Sequence, residues 1–254
     1  MICVTINGLL FILKELKNLN VLIVIIWFFM TSYDLIIVSQ SSSQELIDAT
    51  QRAIDSCLAD CPVNVILVET FAKYDYRNVN ITIRYIGDFN YNRALNMGLT
   101  AAHNDIHILA NNDIIFQSGW SKIGDIMKSM GYLSASALST DARQSKFQRG
   151  DFVYEGYEIG SFLTGWCIFI DKTLPQKICR LDERFNFWYS DNVYADQLKR
   201  AGIKHALICN CQVDHITSLT LSRQTPQTKR RFTLMEMYKY AKGQKVHGGD
   251  CPVI

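Results

Sequence analysis

The chain lacks most of the features that would assign it at sight. Its formal charge is only +2 over 254 residues, too close to neutral to argue for a nucleic-acid partner. A membrane-spanning helix needs about twenty apolar residues, and the strongest apolar block, residues 19–30, holds only about a dozen. Eight cysteines are present, but the ligand pairs of a closed zinc site are missing. Cys57 and Cys61 face each other at helical spacing, and Cys209 and Cys211 share one face of a strand. The expectation is buried free thiols in a reducing compartment. No internal repeat, low-complexity tract or second-domain linker interrupts the chain, and "SQSSS" stands where a Gly-rich phosphate loop would follow the first strand.

What is there is an ordinary globular composition, 48% hydrophobic and 20% charged, large enough for one full core. The division expected is an apolar extension at 1–30, a main domain at 31–222, and a basic C-terminal helix and tail at 223–254, packed on or peripheral to that domain. For the first segment an extra or peripheral piece, with Met30 as the working start, ranks ahead of a signal-anchor. A cleaved signal ranks third, because no small-x-small cleavage site follows the apolar block.

From Tyr33 onward strands and helices alternate. "DLIIVSQ" is a β-rich apolar run, and residues 44–57 carry Leu46, Ile47, Ala49, Ala53, Ile54 and Cys57 at helical spacing. "NVILVET" and "NITIRYI" predict two more strands, "NYNRALNMGLTAAH" a helix, and "HILA" a strand. Further on, a helix and a strand are expected in "GWSKIGDIMKSMGYLSASAL", then a long polar and aromatic loop of the kind that is often functional. "TGWCIFIDK" predicts a strand, "NVYADQLKRAG" a helix, and "KHALICNCQVDHI" a last strand. The class is α/β, with a single mixed, mostly parallel sheet flanked by helices. Ligands of such sheets sit beyond the carboxyl ends of the strands, which directs attention to Ser39–Ser43, Glu69 and residues 111–113. In "HILANNDIIF" the apolar run is cut by Asn111, Asn112 and Asp113. Those residue types suit a polar turn, and equally an oxygen-rich end that receives a metal-bound phosphate.

Four stretches, in order, resemble the family 2 glycosyltransferases of the GT-A, or nucleotide-diphospho-sugar transferase, fold. "NRALNMGLTAAHNDIHILANNDI" is similar to the helix-strand unit that ends in the acidic metal motif, written Asn-x-Asp in rhamnosyltransferase-like members. "TGWCIFIDK" resembles the Thr-Gly strand on the acceptor side. "LDERFNFWYSDNVYADQLKRAG" is similar to the stretch in which a Glu-Asp pair opens a helix, and "VDHITSLT" to the late histidine motif. The resemblance covers residues 33–249.

The resemblance implies a hexosyltransferase-type enzyme of glycan or polysaccharide biosynthesis. It would move a sugar from a nucleotide diphosphate to a glycan, lipid-linked or protein hydroxyl, with inversion. Mg²⁺ or Mn²⁺ would offset the charge of the leaving diphosphate, held by Asp113 and His215. Asp191 is the implied base, although Ser190 or Asp191 also suits a helix N-cap. The implied donor contacts are Ser39, Gln40, Ser41, Glu69, Arg93, Asn96, Asn111 and Asn112. The implied acceptor side is Thr164, Gly165, Trp166 and Trp188, with Phe187 and Tyr189 as further flat faces that otherwise serve as core. Departures stand at Asp88-Phe89-Asn90, where the family has Asn-x-Gly, and at Ser190, Val193 and Gln197 in the Glu-Asp helix. They leave room for a non-catalytic nucleotide-sugar binder. A sugar nucleotidyltransferase is the other rival, and the missing Gly-rich loop counts against it. Lys229, Arg230 and Arg231 open a basic tail that suits peripheral contact with an anionic membrane, and the expected location is the cytoplasm or the cytoplasmic face of a membrane.

Overall fold

The structure is a computed structural model that describes residues 31–187, 189–216, 235, 237 and 240–242. The chain divides into Met1–Thr31 and Ser32–Ile254, and the described elements belong to the second unit. The apolar extension and most of the basic tail, including Lys229, Arg230 and Arg231, lie outside the described residues. No described helix is long and apolar enough to cross a membrane.

Apolar runs with little charge become strands covered on both faces. Strand β1 (Tyr33–Ser39) is buried throughout, and its side chains alternate between two cores, as the two-residue period of a strand requires. Leu35 and Ile37 enter one cluster, Ile36 and Val38 the other. Strands β2 (Asn64–Glu69) and β4 (Ile106–Ala110) divide in the same way. Helix α1 (Gln44–Leu58) covers the first face with Ala53, Ile54 and Cys57. Ser43 caps it by accepting the Leu46 amide. Helix α2 (Tyr91–Ala101) covers the other face with Ala94 and Leu95, capped by Asn90. Gly98 lets α2 approach β1 closely, since a Cβ there would lie 2.3 Å from Ile36 Cγ2.

The remaining elements are β3 (Ile81–Arg84), β5 (Ile114–Phe116), α3 (Lys122–Met130), β6 (Ser134–Leu138), β7 (Val153–Glu155), β8 (Cys167–Asp171), α4 (Leu174–Lys177), α5 (Ser190–Arg200) and β9 (His205–His215). The sheet order is β3-β2-β1-β4-β8-β6-β9-β5, with β7 also on β9. Strands β3, β2, β1 and β4 are mutually parallel. Strand β8 runs antiparallel to β4 and β6, and β6 is parallel to β9. This is the expected mixed, mostly parallel sheet between helices. The chain leaves β1 toward β2 and β3, then returns to place β4 on the other side of β1. That reversal makes a topological switch point between β1 and β4, and ligands of such sheets usually sit beyond the carboxyl ends of the strands there.

Two local features differ from expectation. The "TGWCIFIDK" strand begins only at Cys167, because Thr164 Oγ1 donates to the Cys167 carbonyl at 3.0 Å and closes a turn. The long loop after β6 carries a short 3₁₀ turn (Ala142–Gln144) and β7. Cys57, Cys61, Cys167, Cys209 and Cys211 are buried free thiols, and desolvation raises Cys61 to about 11. Cys179 is disulfide-bonded, which corrects the expectation of thiols throughout. At the amino ends of the strands Asp34 ties β1 to its neighbours. It accepts from Asn64 Nδ2 and the His103 and Asn104 amides, and lies 3.1 Å from His107 Nδ1. Burial alone would raise its pKa, but these hydrogen bonds outweigh that and hold it at about 2.

Candidate active site

Register places the site residues. Ser39 pairs with Glu69 across β1 and β2, and Ile37 with Ala110 across β1 and β4. Ser39, Glu69 and Asn111 therefore share one end of the sheet. Beyond Asn111 the chain enters β5, whose Ile114 pairs with His215 of β9. This brings His215 Nε2 to 3.0 Å from Asp113 Oδ1, and the Ile216 amide donates to the Asp113 carbonyl. Asp113 is buried and the His215 side chain is 19% exposed, so the pair presents one accessible edge.

Trp166 links this pair to the second carboxylate. Its ring stacks on His215 at 5.2 Å with planes 8° apart, and its carbonyl accepts the Asn111 amide at 2.8 Å. The preceding Gly165 abuts Asp191, since a Cβ at Gly165 would lie 2.9 Å from both Asp191 Cβ and Oδ2. Arg143 rests over the Trp166 ring at 5.6 Å and is held by a two-pronged ion pair with Asp141. Asp191 is thus on the same side of the molecule as Asp113, one tryptophan and one glycine away. Desolvation raises the Asp191 pKa above the usual aspartate value, while backbone N–H bonds and the Arg143 charge oppose the rise. Neither Ser190 nor Asp191 is the N-cap of α5. That position belongs to Tyr189, and the Ser190 hydroxyl donates back to the Phe187 carbonyl.

At the other wall, Glu69 Oε1 accepts the Ser41 and Phe71 amides, while Glu69 Oε2 is buried with no partner among the described residues. Gln40 follows β1, and its carbonyl accepts the Ser42 amide. Ser39 Oγ lies 2.9 Å from the Tyr76 hydroxyl and 3.4 Å from Thr50 Oγ1. Asn112 Nδ2 also reaches Thr50 Oγ1, at 3.2 Å, so both side chains turn toward α1. Asn111 Oδ1 accepts from the Tyr91 hydroxyl at 2.6 Å.

Arg93 and Asn96 are committed elsewhere. Arg93 pairs with Glu183 at 3.0 Å. Asn96 exchanges hydrogen bonds with the Leu181 backbone and donates to Glu183. With Asn90 and Asn92, which donate to the Glu183 and Asp182 carbonyls, they clip residues 181–186 onto α2. This amide-rich face supports the loop that leads to Asp191. Trp188 lies outside the described residues. Sequence reasoning missed Tyr91, Arg143 and Asp141. Tyr91 lies inside a quoted motif, and Arg143 and Asp141 lie in the loop flagged for its length.

The donor set suits a divalent cation. Carboxylate and imidazole together accommodate Mn²⁺, and no group of three His, Cys, Asp or Glu ligands occurs among the described residues. A two-ligand site fits an ion that completes its shell with phosphate oxygens and water.

No family model matches the chain, and no curated protein matches it in sequence. In three dimensions it is similar to solved structures, among them a crystal structure of GalNAc-T7 with UDP, GalNAc and Mn²⁺. The TM-score is 0.60 at 10% identity, over 74% of this chain and 43% of that one. The chain therefore spans less than half the length of that protein. At this identity the likeness shows the fold alone, and the fold is GT-A-like.

Proposed function

We propose that the protein is a glycosyltransferase that moves a sugar from a nucleotide-diphosphate sugar to a hydroxyl acceptor. The carrying observation is that a carboxylate–imidazole set (Asp113 and His215) is joined through Trp166 and Gly165 to a separate desolvated carboxylate (Asp191). The family 2 and rhamnosyltransferase-like resemblance and the UDP and Mn²⁺ of the GalNAc-T7 structure support the same reading.

Asp113 and His215 would hold the cation, and the histidine favours Mn²⁺ over Mg²⁺. When bound, such an ion neutralises charge developing on the diphosphate. Asn111, oriented by Tyr91, presents its remaining amide edge at the end of β4. The unpartnered Glu69 Oε2 accepts an N–H of the nucleobase or a ribose hydroxyl, beside the Ser41 turn. Asp191 takes the acceptor's proton, and its raised pKa makes it a stronger base than an exposed aspartate. Attack from the Asp191 side, opposite the departing diphosphate, inverts the anomeric carbon. Trp166 holds His215 and Arg143 on the acceptor side, with Thr164 fixing the turn that carries it. The acceptor class, whether glycan, lipid-linked or protein, and peripheral membrane contact belong to the same proposal.

The test is a panel of nucleotide sugars supplied with Mn²⁺ or Mg²⁺. The expected product is free nucleoside diphosphate, formed only when metal is present. Pyrophosphate as the product would instead indicate a nucleotidyltransferase, and donor binding without any product a pure binder.

A further inference from the structure

Tyr189 stands two residues before Asp191 and adopts a left-handed backbone, φ 62° and ψ 5°. An aromatic residue holds such a conformation only where its surroundings impose it. Its carbonyl accepts the Val193 amide at 2.9 Å, closing the first turn of α5 around Asp191. Its ring stacks on Tyr240 at 5.1 Å with planes 20° apart. The Tyr240 ring also meets Phe185 edge-on at 6.2 Å, and its hydroxyl donates to Asp196 Oδ2 at 2.7 Å. One side chain from far along the chain thus touches the loop before Asp191, the strained turn beside it and the helix after it.

We propose that Tyr240 is a positioning residue that clamps residues 185–196 and keeps the Asp191 carboxylate aimed into the site. Tyr240 then belongs to the catalytic unit. The inference rests on the reading of Asp191 as base.

Misplacing a reacting group by about 1 Å costs about 100-fold in rate. Tyr240→Ala should lower kcat by about 10- to 100-fold, leave the donor KM within about twofold, and speed amide exchange at residues 189–193 but not in the sheet. Tyr240→Phe keeps the ring that meets Tyr189 and Phe185 and removes the hydroxyl that bonds Asp196, so it should retain kcat within about threefold of wild type. Wild-type kcat and exchange in Tyr240→Ala would overturn the proposal. So would a uniform rise in exchange across the sheet, or a Tyr240→Phe variant as impaired as Tyr240→Ala. If the wild-type protein transfers no sugar, the proposed function fails by itself, and exchange at residues 189–193 still decides whether Tyr240 clamps the turn.

Discussion

Glu69 is buried and Asp191 half-buried, and their surroundings differ. Glu69 spends one oxygen on two backbone amides and leaves the other buried without a partner among the described residues. A buried acceptor left unpaired costs about 1–3 kcal/mol, which a ligand N–H or O–H would recover. Glu69→Gln can keep its carbonyl on the two amides, but it then points an NH₂ where the acceptor was. Donor affinity measured by calorimetry should fall about 10- to 100-fold, with little change in melting temperature. Unchanged affinity would remove Glu69 from the donor site. Both residues were visible in the sequence as acids next to strand or helix ends. The partners that give them meaning were not, because the Gly165 contact with Asp191 and the Trp166 stack on His215 depend on packing between distant segments.

Among the elements, the apolar strands and the amphipathic α1 and α2 were legible because period and burial act on every residue of a segment. The Thr164–Trp166 turn was read as strand, since its apolar neighbours carry the pattern and the Thr164 hydroxyl bond that ends it leaves no periodic trace. Strands β6 and β9 hold a further feature that pattern does not reveal. His205 is fully buried, with Nδ1 2.8 Å from Ser134 Oγ and Nε2 3.1 Å from Ser136 Oγ. Desolvation pushes its pKa down from 6.5 to about 3, against a backbone hydrogen bond that acts the other way. The native state therefore needs the ring neutral. This contribution to stability is complete above pH 6.5 and declines as pH falls toward 3, at up to about 1.4 kcal/mol per pH unit. Urea unfolding at pH 5 should show a loss of about 2 kcal/mol relative to pH 7 from this residue, and His205→Gln should lack that increment. An equal pH dependence in the variant would contradict the assignment.

For the molecule as a whole, the strand order matters more than any motif. The strand order reverses at β1 and β4, and the segments after β4 and before α5 bring Asp113 and Asp191 to the two sides of Gly165–Trp166 by different routes. The order of motifs indicated the architecture, while composition bounded only the class. Arg143, over Trp166, and Tyr240, against Phe185, Tyr189 and Asp196, were marked by no motif.

The most direct measurement compares wild type with Asp191→Asn for sugar transfer and for donor binding in the presence of Mn²⁺. Asparagine keeps the size and loses the basicity, so turnover should fall by about 10²- to 10⁴-fold while the donor dissociation constant stays within about twofold. Transfer by Asp191→Asn at the wild-type rate would contradict the account.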